Sequence, residues 1–439
     1  MSLLLIYMLA GVSLISEVEV PTVTERGFIL TWTTKAPELC QVGLEREGSS
    51  WSALVEESGP ATRFHQVEVQ GLEPGGDYRY LITCGKDRWP RLPWHSASIT
   101  TLVPPPGKPL FSFAVMNDLH AGEDISGLMV PPVKWLPPFT PGKTWRFPVD
   151  NPWDFALRHT VREINRTEAE LVIVNGDLTS WFSPEEFALV KDRLDRLNAP
   201  YHVVRGNHDR IGDYSEDYFL TTFNLDKSWF SFDHRGFRFI ILDDTRPEDG
   251  YYQFTEEQFE WLARDLAEHR DRVTFIFSHR PIASRGLDID PRMQRRLLEL
   301  IAEHPQVAAV FNGHSHRARV TRVPEITGDL PFIEVPPVKD YPLGFGLVRV
   351  YQGGFMFNFR PTDCPDCREW RQMTRGHYYR LAPRLLFGRL EDRNFTAEFS
   401  PLQKNLIGLI SSRTPTNAAR PLMTPQSAYH AGRSERHGL

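Results

Sequence analysis

Residues 204–209, with the sequence VRGNHD, bring together side chains that commonly bind metal ions. An amide, an imidazole and a carboxylate stand in consecutive positions there, at Asn207, His208 and Asp209. Gly206 precedes them and would let the backbone turn tightly and approach a ligand. Mixed nitrogen and oxygen donors of this kind suit first-row transition metals. The segment therefore predicts a loop that contributes to a metal site.

Other short apolar runs end in the same kinds of side chain. These runs begin at Phe111, Leu171, Val273 and Val307. The polar residues that follow them are Asn117, Asp118 and His120, then Asn175 and Asp177, then Ser278 and His279, then Asn312, His314 and His316. In open α/β sheets, ligands bind outside the carboxyl ends of the strands. We therefore expect all of these strand ends to converge on one site.

The ordered motifs D-x-H, GD, GNHD, H and GHxH resemble those of the calcineurin-like metallophosphoesterase superfamily. The resemblance covers roughly residues 111–352, and the occurrence of five short motifs in the family's order makes it specific. It implies an α/β (α+β) catalytic domain built from two packed mixed β-sheets flanked by helices. The alternation of strand-like and helix-like segments across this region favours the same layered fold.

The resemblance implies two metal sites that share one bridging carboxylate, that of Asp177. The implied ligands of the first metal are Asp118, His120, Asp177 and His316. The implied ligands of the second metal are Asp177, Asn207, His279 and His314. The cofactors would be two divalent or trivalent transition-metal ions, drawn from Mn, Fe, Zn or Co, because ligands of these types suit all four.

The implied reaction is hydrolysis of a phosphoester, by a phosphatase or a phosphodiesterase, with a hydroxide that bridges the two metals as the nucleophile. His208 would bind a phosphate oxygen or protonate the leaving group as a general acid, and Asp209 would orient its ring. Arg205 and Arg280 flank the motifs, and each could contact phosphate or form a structural salt bridge. The alternative to an enzyme is a non-catalytic surface or binding protein built on the same folds.

Three positions depart from the motifs of the related purple acid phosphatases. His120 stands where those enzymes have glycine, Ser180 where they have the tyrosine that follows the bridging aspartate, and Asp209 where they have glutamate. Because that tyrosine is missing, we do not expect the purple Fe(III) chromophore. The D-x-H motif is more similar to the bacterial branch that resembles cyclic-nucleotide phosphodiesterases.

Residues 18–102 are predicted to form an all-β domain. The segment 28–33, FILTWT, is rich in β-forming residues and includes a large aromatic side chain. Residues 71–80 predict a turn followed by a tyrosine-bearing strand, and they resemble the tyrosine corner of a fibronectin type III-like sandwich. Cys40 and Cys84 fall on predicted strands of this domain, where they either pair with each other or remain buried thiols.

Changes of composition along the chain indicate further boundaries. The predicted domains are 1–17, an export signal or first strand; 18–102, the sandwich; 103–110, a proline-rich linker; 111–362, the catalytic domain with an insertion at 121–152; 363–410, a C-terminal extension; and 411–439, a disordered tail.

The insertion leaves directly from the D-x-H motif and is rich in proline and aromatic residues, so we predict a wall or lid beside the substrate cleft. Cys364 and Cys367 form a CxxC motif that would be either a local disulfide or two thiols in a turn.

Helical patterns with start signals occur within the catalytic domain. The predicted helices cover residues 154–166, 184–197, 255–268 and 291–303. Ser183 and Thr255 are the residue types preferred at the position before a helix, and Pro184 suits the first turn.

The overall composition is that of an ordinary globular protein, with 41% hydrophobic and 24% charged residues in a chain of 439. The formal net charge of −6 argues against a nucleic-acid polymer as partner, because nucleic-acid-binding domains are usually basic. The expected partner is a small phosphoester substrate. No transmembrane anchor is expected, since the apolar N-terminal run is too short to span a bilayer. The sandwich and that run predict export to the periplasm or the medium, with the cytoplasm as the alternative.

Overall fold

The computed structural model describes residues 14–90, 97–123, 151–210, 216–248, 251–284, 290–377 and 381–413. Three predicted regions lie largely outside these ranges: most of the segment 1–17, most of the insertion 121–152, and residues 414–439 of the tail. The first strand begins at Ile15, so the end of the apolar N-terminal run belongs to the sandwich.

The N-terminal domain is an antiparallel β-sandwich, as the sequence predicted. Its strands are β1 (Ile15–Val23), β2 (Gly27–Glu38), β3 (Cys40–Arg46), β4 (Ser52–Glu56), β5 (Thr62–Gln70), β6 (Asp77–Cys84), β7 (Asp87–Trp89) and β8 (Ala97–Thr100). One sheet has the order β1-β2-β5, and the other has the order β4-β3-β6-β7 with β8 beside β6. The backbone N–H of Glu73 donates to the hydroxyl of Tyr78 at 2.9 Å, which gives the tyrosine corner its hydrogen bond.

The catalytic region contains two six-stranded mixed sheets, counted over the described residues. The strands of the first sheet, in spatial order, are β11 (Tyr201–Val204), β10 (Leu171–Asn175), β9 (Pro109–Met116), β20 (Gly344–Tyr351), β21 (Gly354–Pro361) and β22 (Asn394–Glu398). The strands of the second sheet are β12 (Phe230–His234), β13 (Phe237–Ile241), β16 (Thr274–Phe277), β17 (Val307–Asn312), β19 (Gly328–Glu334) and β18 (Arg319–Val323). A separate hairpin consists of β14 (Arg246–Glu248) and β15 (Tyr251–Gln253).

Helices cover the outer faces of these sheets and follow them in the C-terminal part. They are α1 (Pro152–Ile164), α2 (Pro184–Leu194), α3 (Tyr218–Phe223), α4 (Glu256–Glu268), α5 (Pro291–Ala302), α6 (Pro324–Thr327), α7 (Pro365–Arg375), α8 (Ala382–Leu385), α9 (Leu390–Arg393) and α10 (Pro401–Arg413). Among the described helices, none combines the length and the apolar content that a membrane span requires.

The helix starts follow the capping residues that the sequence indicated. The Ser183 hydroxyl accepts from the backbone N–H of Glu186 at 3.1 Å, and the Glu186 carboxylate accepts from the Ser183 N–H at 3.2 Å. This reciprocal pair is a capping box, which satisfies two backbone donors that the helix itself cannot. Thr255 accepts from the N–H of Gln258 at 3.2 Å in the same way at α4. Helix α2 ends three residues earlier than predicted, at Leu194.

Phenylalanine side chains fill the space between the two catalytic sheets. The ring of Phe113 on β9 lies 5.3 Å, centroid to centroid, from both Phe239 on β13 and Phe275 on β16. Ala114 and Met116, which point the other way from β9, pack against α1 and α2. Both faces of β9 are therefore buried, which explains its continuous apolar sequence. The order of layers is helix, sheet, sheet, helix.

Both cysteine pairs form disulfides. Cys40 and Cys84 lie directly opposite each other on the paired strands β3 and β6. Cys364 and Cys367 are bonded at the N-terminus of α7. The chain holds these four cysteines and no free thiol.

The sandwich and the C-terminal extension are both built into the catalytic layers. β22, which comes from the extension, pairs with β21 as the edge strand of the first sheet. The hydroxyl of Thr22 on β1 donates to the carbonyl of Phe359 at 2.6 Å, and the side chain of Asn358 donates to the carbonyl of Val23 at 2.6 Å. Both hydrogen bonds are buried, so they join strand β1 of the sandwich directly to β21.

His202 on β11 is a neutral histidine packed in this frame. Its ring stacks on Phe232 of β12 with centroids 3.9 Å apart. Burial, with a smaller effect of His234, lowers the pKa of His202 from 6.5 to about 4. The unfolded chain therefore binds more protons than the folded chain between these two pH values. Stability should be lost as the pH falls from about 6.5 toward about 4.

We predict that the variant His202→Phe keeps the ring packing and escapes part of this acid sensitivity. Between pH 7 and pH 4 the variant should lose about 2 kcal/mol less unfolding free energy than the wild type. Urea denaturation of both proteins at the two pH values measures this difference, with a chelator present so that bound metal does not contribute. An equal loss of stability in the two proteins would contradict the assignment.

Candidate metal centre

The predicted strand ends converge at one edge of the two sheets. β9, β10 and β11 are parallel neighbours in the first sheet, and β16 and β17 are parallel neighbours in the second. The loops that follow them bring the carboxylates and imidazoles into overlapping groups, each with donor atoms within 4.8 Å of one another. These groups are Asp118, His120 and His316; His120, Asp177 and His208; and Asp177, His279 and His314.

Backbone hydrogen bonds join the first two loops along their length. The N–H of Asp118 donates to the carbonyl of Gly176 at 3.0 Å, and the N–H of His120 donates to that of Asp177 at 2.9 Å. Ala121 continues the series by donating to Leu178 at 2.9 Å. The backbones of the D-x-H and GD motifs are therefore hydrogen-bonded to each other along their length.

The backbone of the predicted ligands is unusual. Five of them have positive φ, namely Asp118 (54°), His120 (47°), Asp177 (50°), His314 (64°) and His316 (53°). Residues other than glycine rarely adopt this conformation, although Asp and His tolerate it better than most. Each such residue costs free energy, and such residues cluster at functional sites. The surrounding loops thus hold the ligands in conformations that the ligands themselves disfavour.

Gly206 and Gly176 lie where two loops approach too closely for a side chain. A Cβ on Gly206 would lie 2.0 Å from the backbone nitrogen of Asp177, and one on Gly176 would lie 2.3 Å from Nδ1 of His279. Gly176 also has a φ of 96°, which favours glycine. The glycines of the GD and GNHD motifs are therefore required by the packing around Asp177.

The implied ligands of the first metal lie close together. Nε2 of His316 lies 3.4 Å from Oδ1 of Asp118 and 3.3 Å from Nε2 of His120. Nε2 of His120 lies 3.5 Å from Oδ2 of Asp177. Two imidazole nitrogens and two carboxylate oxygens thus surround a space that a single cation would occupy.

The implied ligands of the second metal include two buried atoms without an aligned hydrogen bond. Nδ1 of His279 donates to the carbonyl of Asn175 at 2.9 Å, which directs Nε2 toward the centre. That Nε2 lies 3.2 Å from Oδ2 of Asp177 but is not aligned for a hydrogen bond. Oδ1 of Asn207 is likewise buried and unpaired. Because buried polar atoms normally have partners, these two atoms fit a site that completes its bonding with a metal ion.

Asp177 is the carboxylate shared by both implied sets of metal ligands, and it lies in two of the three groups of donor atoms. Burial alone would raise its pKa, but His279, with His120 and His208, holds the pKa well below its ordinary value. Its Oδ1 also accepts the backbone N–H of His208 at 2.9 Å. Asp177 is therefore a charged carboxylate that lies between the two implied sets of ligands.

His279 and His314, both implied ligands of the second metal, differ in charge. Burial lowers the pKa of His314 to about 3, and His279 and Arg280 add to the effect. Burial opposes the charge of His279, but Asp177 and Asp118 raise its pKa to about 10. A metal ion that binds there must displace a proton from His279, so its affinity should rise with pH.

The structure corrects the role predicted for Asp209. Its buried carboxylate accepts the backbone N–H groups of Gly206 at 2.8 Å and Thr179 at 2.9 Å. The described hydrogen bond of the His208 ring runs instead from Nδ1 to the carbonyl of Ser180, at 3.0 Å. Asp209 therefore fastens two loops together, and Ser180 orients His208. Burial raises the pKa of Asp209 to about 6, with a further contribution from Asp177.

The two arginines that flank the motifs have different surroundings. Arg205 is 1% exposed and pairs with Asp217 at 2.5 Å and with Asp243 at 3.4 Å, which makes it a structural arginine. Arg280 is also buried, and its Nη1 donates to Nε2 of His314 at 3.2 Å. Arg280 therefore contacts His314, an implied ligand of the second metal.

Two buried residues next to the centre, Lys339 and Asp244, are not among the residues that the motifs predict. Lys339 forms an ion pair with Glu123, and the same carboxylate lies 3.8 Å from Nδ1 of His120. Asp244 accepts the backbone N–H of Arg280 at 2.6 Å and so fixes the loop after β16. Neither residue belongs to a short motif. The available signal was a charged residue inside an otherwise apolar segment, which by itself does not indicate a site.

Two further groups of donor atoms lie outside the centre. They are Cys40 with Glu57 and His65, and Cys364 with Cys367 and His159. The three cysteine sulfurs in these groups, those of Cys40, Cys364 and Cys367, are bonded in disulfides, and a cysteine that binds a metal does so as a thiolate. Neither group can therefore hold a metal ion in this state of the chain.

The layered fold and the paired Asp and His groups at its strand ends define a metallophosphoesterase-type domain. Residues 111–318 match the family model described as calcineurin-like phosphoesterase. The matched part of the chain carries every predicted ligand.

Two curated proteins and one solved structure are similar to parts of this chain. The chain is 29% identical over 175 residues to a probable glycerophosphodiester phosphodiesterase of Arcobacter nitrofigilis, which covers 38% of this chain and 64% of that protein. It is 27% identical over 158 residues to a probable cyclic nucleotide phosphodiesterase of Synechococcus sp., which covers 35% of this chain and 61% of that protein. The alignments thus span less than two thirds of either relative. A solved dimetal phosphatase from Danio rerio is 16% identical with a TM-score of 0.48, and covers 66% of this chain and 100% of that chain.

We predict that the protein binds two transition-metal ions per chain and that Asp177→Asn weakens the binding of both. Asn207→Ala should weaken only one of them, by about 100-fold, because Asn207 is an implied ligand of the second metal alone. Isothermal titration with Mn²⁺ and elemental analysis after gel filtration measure affinity and stoichiometry. His269→Asn is the matched control, since His269 lies at the end of α4, away from the centre. Two tightly bound ions in Asp177→Asn would contradict the bridging role.

Proposed function

We propose that this chain is a metal-dependent phosphoric ester hydrolase that acts on a small phosphoester. The observation that carries the proposal is the grouping of Asp118, His120, His279, His314 and His316 around the shared carboxylate of Asp177. The two curated relatives are named as phosphodiesterases, which favours a diester over a monoester.

The two implied sets of ligands, which share Asp177, would each hold one cation. When bound, the cations would supply charge to neutralise the phosphoryl oxygens and would acidify a water molecule for attack on phosphorus. Mixed imidazole, carboxylate and amide donors suit Mn, Fe, Zn and Co, so we propose a pair drawn from these metals.

His208 would act on the substrate rather than on the metals. Its Nδ1 is occupied by the Ser180 carbonyl, so Nε2 is the atom left to meet a phosphate oxygen or the leaving oxygen. Its backbone is fixed by the hydrogen bond to Asp177, and its ring lies 4.7 Å from that of His120, centroid to centroid. A partly exposed imidazole beside the centre is placed to bind the phosphoryl group and to donate a proton to the leaving group.

We predict that metal-stripped protein hydrolyses neither p-nitrophenyl phosphate nor bis-p-nitrophenyl phosphate and that reloading with Mn, Zn, Fe or Co restores turnover. Asp177→Asn should stay inactive under every metal. The ratio of the two rates separates a monoesterase from a diesterase. Absence of turnover in protein that has bound two ions would contradict the proposed function.

We predict that His208→Gln keeps both metal ions and loses activity by about 100- to 1,000-fold in kcat on an alkyl diester. The loss on bis-p-nitrophenyl phosphate should be smaller, because nitrophenolate leaves without a proton. Comparing the two substrates in wild type and variant therefore isolates the proton-donating role. Equal losses on both substrates would assign His208 to phosphate binding instead.

We further propose that the protein works outside the cytoplasm. The observation that supports this is the pairing of all four cysteines, because stable disulfides are typical of oxidising compartments. Cell fractionation with alkylation before lysis tests it. Recovery of the native protein in the cytoplasmic fraction with four reactive thiols would refute it.

A further inference from the structure

Trp181 presents a large aromatic surface to solvent. Its side chain is 57% exposed, more than that of any other described tryptophan. Its neighbours Ser180 and Phe182 are 3% and 5% exposed. The chain therefore buries the residues on both sides and leaves Trp181 outside. Within the described part of the chain, the indole makes no ring contact and its Nε1 donates no hydrogen bond.

The backbone that carries Trp181 is firmly held. Its N–H donates to the carboxylate of Glu186 at 3.0 Å, the same carboxylate that closes the capping box of α2. Phe182 has a φ of 60°, and its ring packs against Phe187 at 5.6 Å. A positive φ is unfavourable for an aromatic residue, so the fold maintains this turn against a local cost. The turn sends the Phe182 ring into the core while Trp181 remains at the surface.

The position of Trp181 relative to His208 distinguishes it from other exposed tryptophans. The carbonyl of Ser180, which is bonded to the nitrogen of Trp181, accepts from Nδ1 of His208 at 3.0 Å. Standard backbone geometry then places the Cα of Trp181 within about 6 Å of that imidazole nitrogen. Trp51, the other strongly exposed tryptophan at 40%, lies in the sandwich between β3 and β4. Of these two exposed tryptophans in the described part of the chain, Trp181 is the one that stands next to a proposed substrate-binding group.

We infer that Trp181 forms an aromatic subsite beside His208 and that the preferred substrates are phosphodiesters that carry a nucleobase. The inference rests on the proposed phosphoesterase function and specifies its substrate class. A planar base stacks on an indole face, whereas a glycerol group offers no such face. The two relatives are named for these two kinds of diester, so the subsite decides between them for this chain.

Steady-state kinetics of the Mn²⁺-loaded enzyme test the subsite. The substrates are 3′,5′-cyclic AMP and glycerophosphoethanolamine, and the variants are Trp181→Ala, Trp181→Phe and the matched control Trp51→Ala. Trp181→Ala should raise KM for cyclic AMP about tenfold with kcat nearly unchanged, because stacking binds the base without touching the reacting bond. Trp181→Phe should retain most of the affinity, since it keeps a ring. Trp181→Ala should leave KM for glycerophosphoethanolamine unchanged. Trp51→Ala should have the kinetics of the wild type on both substrates.

Binding measurements keep the inference separate from the proposed function. Isothermal titration of the same proteins with AMP and with glycerol 3-phosphate should show a loss of about tenfold for AMP alone in Trp181→Ala. If wild type hydrolyses bis-p-nitrophenyl phosphate and Trp181→Ala binds AMP as tightly as wild type, the subsite is wrong and the proposed function stands. If no ester is hydrolysed, the proposed function fails, and the AMP titration still decides whether Trp181 binds a base. An equal loss for both ligands would assign Trp181 to general integrity of the loop and overturn the inference.

Discussion

The rest of the structure depends on the contacts that the Asp177 carboxylate makes with the surrounding histidines. Its Oδ2 lies 3.2 Å from Nε2 of His279 and 3.5 Å from Nε2 of His120, and its Oδ1 accepts the N–H of His208 at 2.9 Å. One side chain thus meets loops from both catalytic sheets. Errors of about 1 Å in the spacing of the sheets would separate these atoms, so the site requires a rigid frame. The phenylalanine core between the sheets provides that frame.

Assembling the centre has a clear electrostatic and conformational cost. Asp118 and Asp177 are both fully buried and repel each other, and five ligands occupy the left-handed region of backbone space. The fold offsets this cost with backbone hydrogen bonds that join the loops and with the carboxylate of Asp209, which binds N–H groups of two loops at once. Histidines neutralise the aspartates in part, and two cations would complete the neutralisation. The buried charges and the strain are therefore consistent with a centre shaped for metal ions rather than for a packed polar core.

The sequence predicted the features that depend on a few neighbouring residues. Strand ends, ligand types and helix starts are local, since an apolar run followed by Asp or His, or a Ser before Pro184, carries its own signal. Features that depend on distant contacts were missed. The pairing of β22 with β21 joins residues some forty positions apart. The ion pair of Lys339 with Glu123 and the loop-fastening role of Asp209 exist only once the sheets are packed.

The sandwich takes part in shaping the centre through one continuous set of contacts. Glu19 on β1 pairs with Arg375 of α7 at 2.9 Å and accepts from the hydroxyl of Tyr341 at 2.9 Å. On the same helix, Nε1 of Trp370 donates to the carbonyl of Lys339 at 2.8 Å. The Lys339 side chain binds the carboxylate that faces His120. Each contact in this series is direct. The sandwich therefore contacts β21 of the first sheet and also supports the segment around Lys339, which lies beside the implied first metal site. The N-terminal domain and the segment beside the implied first metal site are therefore joined by one continuous set of contacts.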